Sequence, residues 1–174
     1  MRKLIPSMRE RGEGTIINVS SVTGLVPVAN QIPYTASKHA LEAATEALAV
    51  EVAAFGIRVA LIAPGVFATQ IWENSQEATR YDRESPYQHI MRRNGKMYAA
   101  LLRQAGDPAE VAAVIHEAIT TDSPRLRWVV GSDAEAMVAG RRSCTDEEYL
   151  RLGEHMNDDE CDAAYKRLLG ISIF

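Results

Sequence analysis

The sequence predicts an α/β domain, a parallel sheet with helices on its faces. Two short β-branched apolar runs, residues 15–20 and 57–63, bracket a long helical pattern over 33–55. A third apolar run at 127–131 follows another helical stretch. Strand, helix and strand of these lengths make a βαβ unit, whose strands are expected to be parallel, adjacent and joined by a right-handed crossover. The 174 residues, 47% of them hydrophobic, suit one domain with its own core.

Residues 1–11 read as the end of a helix, with Met1, Leu4, Ile5 and Met8 on one face. Pro6 sits inside this stretch, where a proline kinks a helix. The face opens at the first residue with no N-cap before it, which raises the expectation of a missing upstream region. Gly12 and Gly14 break the helix, and residues 15–20 form a buried strand. A loop runs from Ser21 to Ile32.

The helix over 33–55 is the strongest in the chain. Leu41, Ala44, Leu48, Val52 and Phe55 make one apolar stripe; Ala36, Ala40, Ala43 and Ala47 make a second of small side chains. Gly56 is placed to end it, and Pro64-Gly65 stops the next strand.

Residues 66–105 read as irregular with helical turns, and carry Trp72, Tyr81, Tyr87 and Tyr98. Asp107-Pro108-Ala109-Glu110 is a helix start, with a cap, a proline at the first position and a glutamate at the third; this helix runs to about Thr121. Thr145 with Glu148, and Asn157 with Glu160, fit two further capping boxes. The chain thus divides into a βαβ core (1–69), a loop segment (70–105), a last helix and strand (106–134) and a helical tail (135–174).

Composition excludes several classes of function. The net charge is −4 and the basic residues are scattered, so no nucleic-acid surface is expected. The small clusters Arg92-Arg93 and Arg141-Arg142 read as solvated faces. Cys144 and Cys161 show no metal spacing, and neither do His39, His89, His116 and His155, so no metal site is expected. Two cysteines without a framework, no secretory leader and no apolar run of membrane length predict a cytoplasmic protein.

Chemistry concentrates near the start of the long helix. Tyr34 and Lys38 are i and i+4 neighbours on one face. Ser21 lies just past a strand end, and strand C-termini and helix N-termini meet at the edge where open α/β sheets bind ligands. A free tyrosine holds its proton to a pKa near about 10. A lysine ammonium within about 4–6 Å favours the phenolate, so such a tyrosine can exchange a proton with an alcohol or a forming alkoxide.

These residues carry a family resemblance. Ser21 followed by Tyr34-x-x-x-Lys38 resembles the active-site motif of the short-chain dehydrogenase/reductase family. The strand run Ile16-Ile17-Asn18-Val19-Ser20-Ser21, the segment Tyr34-Thr35-Ala36-Ser37-Lys38, and Pro64-Gly65-Val66-Phe67-Ala68-Thr69 resemble family segments in order and spacing, over residues 1 to about 131. The resemblance implies the C-terminal catalytic half of a Rossmann-like fold. It implies an NAD- or NADP-dependent oxidoreductase that interconverts a secondary alcohol and a ketone. Tyr34 would be the general acid/base and, with Lys38, would bind the cofactor; Lys38 would lower the Tyr34 pKa and hold the nicotinamide ribose, and Ser21 would orient the substrate oxygen. Pro64 and Gly65 would shape the backbone beside the nicotinamide, and the Phe67 backbone and Thr69 would contact its carboxamide or the nearby phosphate. The segment after Thr69 would be the substrate loop. The long helix would pack against its twin in a homodimer or homotetramer.

The chain departs from the family in what it lacks: the upstream asparagine that helps anchor the catalytic lysine has no match, since Asn18 lies inside a strand, and the residue that chooses NAD or NADP is missing too. The glycine-rich turn that cradles the pyrophosphate at a helix N-terminus is absent. Gly12-x-Gly14 precedes a strand, and Ile17 stands where a third glycine belongs. The N-terminal half of the fold is therefore expected to be missing, through truncation in preference to a genuine half-protein, which would leave the edge of strand 15–20 open. Two rivals follow: a non-catalytic oligomerisation or binding module, and a nucleotide-binding redox regulator. If Trp72, Tyr81, Tyr87 and Tyr98 line a pocket instead of forming core and rim, the small-molecule substrate is bulky and apolar.

Overall fold

The backbone at Ile57–Pro64 (β2) is the centre of the molecule. Apart from Arg58 its residues form one continuous apolar run, buried from Val59 to Ala63, so the strand is covered on both faces. It pairs in parallel with Gly14–Val19 (β1) on one side and with Arg127–Val130 (β3) on the other, giving the order β1-β2-β3. The register sets Gly14 beside Ile57 and Val19 beside Ile62, then Leu61 beside Arg127 and Pro64 beside Val130. The structure is a computed structural model and describes residues 3–78 and 82–174, without the side chains of 75–78. Met1 and Tyr81, named above for the first helix and the substrate loop, lie outside the described residues.

The expected βαβ unit is present. Its crossover is Ile32–Val52 (α2), continued by a 3₁₀ turn at Ala53–Phe55 and ended by Gly56 at φ 69°. Glycine is needed there on two counts: the backbone is left-handed, and a Cβ would collide with the Gly12 carbonyl.

Only part of the predicted apolar stripe faces inward: Val52 is buried and Leu48 packs beside it, with Leu41 half-buried. Glu42, Thr45 and Val52 are buried, whereas Ala44 and Phe55 are exposed. Polar partners explain the difference: Thr45 accepts from Asn18 on β1 at 2.8 Å, and Glu42 takes Arg127 from β3. The small side chains of Ala36, Ala40, Ala43 and Ala47 are all exposed.

β1, read as buried, is only half-buried, because among the described residues it pairs with β2 alone. Pro6 does not kink the first helix. Ile5–Arg11 (α1) begins beside it, in the first turn where a missing N–H costs nothing.

The segment read as irregular contains Ile71–Ala78 (α3) and the long Gln88–Leu102 (α4). Pro108–Thr120 (α5) carries the predicted capping box at Asp107 and Glu110 and packs over β2 and β3 through Val111, Val114 and Ile115.

The tail is more structured than the two predicted capping boxes imply. Both boxes are present, starting Asp146–Leu150 (α7) and Asp158–Leu169 (α8). Before them comes Ser132–Ser143 (α6), which has no side-chain cap and so left no start signal in the sequence. Met137, Val138, Cys161, Tyr165, Leu168, Leu169, Ile171 and Ile173 join Val22, Val26, Val28 and Met97 in the largest core cluster. Tyr149 donates to the Pro27 carbonyl, so the tail also ties down the loop after β1.

The reading of Arg92-Arg93 as a solvated pair is corrected. Arg93 is 4% exposed and donates to the carbonyls of Leu152 and Glu154 at 3.0 and 2.6 Å, clasping α4 to the tail. Arg92 pairs with Asp158 and Arg141 with Asp146. No described helix is long and apolar enough to cross a membrane. No cluster of three or more His, Cys, Asp or Glu side chains that could hold a metal occurs among the described residues.

Candidate active site

A cavity of about 730 Å³ opens at the C-terminal edge of the sheet. The end of β1 and the two residues after it bring Val19, Ser20 and Ser21 to its lining, and β2 delivers Pro64. The first turns of α2 bring Tyr34 and Lys38 to the same space, and Gly65, Phe67 and Thr69 line it from the turn after β2. All seven site residues singled out in the sequence therefore border one cavity.

The local geometry follows from the chain. Ser21 is extended, at φ −164° and ψ 157°, and its Oγ accepts from the Thr23 backbone N–H at 3.2 Å, capping the 3₁₀ turn Val22–Gly24. Lys38 Nζ lies 5.6 Å from the centre of the Tyr34 ring and donates to the Val19 carbonyl at 3.2 Å. Two contacts thus fix the ammonium between strand end and tyrosine. Burial holds the Lys38 pKa below its ordinary value, while the Glu42 carboxylate one turn further along α2 pulls it back up.

The turn after β2 is held from behind. Asp133 at the start of α6 accepts from the Val66 backbone N–H at 2.7 Å, and its carboxylate fills the space a Cβ on Gly65 would need. The Phe67 carbonyl accepts from the Trp72 indole at 2.8 Å, so a ligand meets that acceptor already engaged. Thr69 is exposed at the rim.

Of the aromatic residues considered for the pocket, Trp72 and Tyr98 line the cavity and pack with ring centres 5.3 Å apart. Tyr87 is exposed and does not line it. The Tyr98 hydroxyl donates to Gln31 Oε1 at 2.9 Å, and burial pushes its pKa up to about 12. His39 hydrogen-bonds the Thr35 carbonyl, and His89 stacks on His155 with ring centres 4.3 Å apart; none of these three histidines borders the cavity.

Sequence reasoning missed Gln31, Glu42 and Asp133. Glu42 carried a signal, since it stands four residues after Lys38 on the same side of α2; Gln31, just ahead of the helix, carried none. Asp133 carried none, because its partner Val66 is distant in sequence.

Comparison with known proteins agrees with this architecture. A family model described as short chain dehydrogenase matches residues 1–80. The uncharacterized oxidoreductase YusZ of Bacillus subtilis is 35% identical over 140 residues, covering 75% of this chain and 48% of that protein. The 3-ketodihydrosphingosine reductase of Bacteroides thetaiotaomicron is 32% identical over 142 residues, covering 82% of this chain and 53% of that protein. The crystal structure of a short-chain dehydrogenase from Streptomyces avermitilis matches with a TM-score of 0.64 at 38% identity, over 80% of this chain and 49% of that one. The chain spans about half the length of the curated relatives it matches. With its Rossmann-like parallel sheet and flanking helices, it belongs to the short-chain dehydrogenase family.

Proposed function

We propose that the chain carries the proton-handling half of an NAD- or NADP-dependent oxidoreductase acting on a secondary alcohol or its ketone, with Ser21, Tyr34 and Lys38 as the catalytic residues. One observation carries the reading: the three side chains reach one cavity from two elements, with the Lys38 ammonium 5.6 Å from the Tyr34 ring and anchored on the Val19 carbonyl.

The residues present fit the nicotinamide and ribose end of such a cofactor. Lys38 supplies a cationic donor at the cavity floor, and the turn Pro64–Phe67 forms a wall held rigid by Asp133. The described residues include no glycine-rich turn leading into a helix, so they offer no cradle for the pyrophosphate. When bound, a nicotinamide supplies or accepts the hydride.

The chain's own residues handle the rest. Tyr34 gives its phenolic proton to the substrate oxygen during reduction and takes it back during oxidation. The Lys38 ammonium favours the phenolate that remains. Ser21 Oγ holds the substrate oxygen within reach of Tyr34, and the apolar walls exclude water. A small molecule with a bulky apolar body suits these walls. The exposed alanine stripe of α2 suits close approach of a second copy, in a homodimer or homotetramer.

The test is binding of NADH and NADPH to the chain by calorimetry, followed by turnover with a panel of ketones and alcohols. Tyr34→Phe is expected to lower turnover by about 10²–10⁴-fold, and Lys38→Ala to weaken both turnover and cofactor binding. No binding at millimolar cofactor would leave the isolated chain a non-catalytic module.

A further inference from the structure

A second polar group faces the cavity beside the proposed proton-handling residues. Asn94 and Tyr98 stand four apart on α4, and both reach across to the segment that leads into α2. Asn94 donates to the Ala29 carbonyl and Tyr98 to Gln31 Oε1. Between these anchor points Asn30 adopts a left-handed backbone at φ 59°, which asparagine tolerates better than other non-glycine residues. The Gln31 side chain is therefore held in place before any ligand arrives.

Its remaining hydrogen-bonding capacity is defined. The Tyr98 hydroxyl has one proton and spends it on Gln31 Oε1, and the phenol stays protonated across the ordinary pH range. The Gln31 carbonyl is thus engaged, while its amide N–H groups have no partner among the described residues. Gln31 caps no helix with its side chain, so local structure does not account for it. Around it the walls are largely apolar: Val28, Trp72, Met97, Leu101 and Met137 face the same space.

We infer that the Gln31 amide, oriented by Tyr98, is a specificity-determining donor that selects apolar ketones and alcohols bearing a second oxygen close to the reacting one. The inference rests on the cavity being the substrate site. Gln31 immediately precedes α2 and its carbonyl accepts from Thr35, next to Tyr34 in the first turn, so Gln31 and Tyr34 border the cavity side by side. The second oxygen must then lie within a few bonds of the carbon that reacts, as in hydroxyketones and diketones. A ketone with one oxygen fills the cavity but leaves the Gln31 donor dry and unpaired, which weakens its binding.

A matched pair of ligands tests this. Calorimetry measures binding of 1-tetralone and 2-hydroxy-1-tetralone to the intact chain, with and without saturating NADH or NADPH. The wild type is expected to prefer the hydroxyketone by about five- to tenfold, the scale of one hydrogen bond. Gln31→Leu is expected to erase the preference while changing 1-tetralone affinity less than about twofold. Tyr98→Phe, which releases Gln31 without removing it, is expected to reduce the preference and keep its sign. Equal affinities in the wild type, or an undiminished preference in Gln31→Leu, overturn the role of Gln31 and leave the substrate site standing. Binding of neither ketone at millimolar concentration overturns the substrate-site reading and this inference with it.

Discussion

The Asp133 carboxylate accepts the Val66 backbone N–H at 2.7 Å, across a gap of 67 residues. This bond ties the turn after β2 to the first turn of α6. Replacing Asp133 by Ala is expected to cost about 1.5–3 kcal/mol, as for a hydrogen bond to a charged group, and to weaken nicotinamide binding. Asp133→Asn keeps an acceptor and should recover most of both. Denaturant unfolding and cofactor calorimetry read the two effects separately. Gly65→Ala should be worse than Asp133→Ala, because its Cβ collides with the carboxylate.

Glu42 and Arg127 form a pair of which Glu42 is 5% exposed. Arg127 also bonds Glu46, and Glu42 Oε1 has no partner among the described residues. Arg127→Leu is expected to destabilise the fold by about 3 kcal/mol, the low end of the range for an orphaned buried charge. The double variant Glu42→Leu with Arg127→Leu should regain most of that loss. A double-mutant cycle by urea unfolding checks the coupling.

The depressed Lys38 pKa has a signed consequence for stability. In the window between its folded value and the ordinary 10.5, the unfolded chain binds the proton that the folded chain has released. Stability contributed by this group therefore rises with pH through that window and is lowest below it. Subtracting the Lys38→Met variant isolates the effect: the wild type is expected to gain on the variant as pH rises toward 10.5, by under about 1 kcal/mol because the ammonium is partly exposed to solvent. Denaturation curves across that range measure it. A flat difference would remove the burial argument.

The tail is expected to be essential to the fold. Leu168 is 2% exposed in the largest core cluster, and Leu168→Ala should cost about 2–5 kcal/mol. Removing residues 145–174 takes Cys161, Tyr165, Leu168, Leu169, Ile171 and Ile173 out of that cluster. Loss of a cooperative thermal transition is the expected result, followed by circular dichroism.

The parts of the molecule legible in the sequence are those set by local rules. The strands at β1, β2 and β3 show as short apolar runs, the ends of α5, α7 and α8 as capping boxes, and the end of α2 as Gly56. What stayed hidden depends on partners distant in the chain. α6 has no cap, and α4 mixes buried Arg93 and Asn94 with Met97, so neither shows a clean apolar stripe. On α2 the apolar pattern found Leu48 and Val52 but missed Glu42 and Thr45, because Asn18 and Arg127 turn polar positions inward. At the site, Ser21, Tyr34 and Lys38 were legible as a motif. Gln31 and Asp133 became visible only once α4 and α6 were placed against them.

The cavity draws on two stretches of chain that scarcely overlap. The proposed proton-handling residues fall between Ser21 and Lys38, while Trp72, Met97, Tyr98, Leu101 and Met137 belong to α3, α4 and α6. Mutation can therefore reshape the chamber without disturbing the reacting groups. Selection for a new substrate has a separable stretch of sequence to work on, and laboratory recombination of residues 70–102 with those of a relative should shift preference for the apolar body of the substrate while leaving Gln31, Asp133 and the proposed proton-handling residues in place.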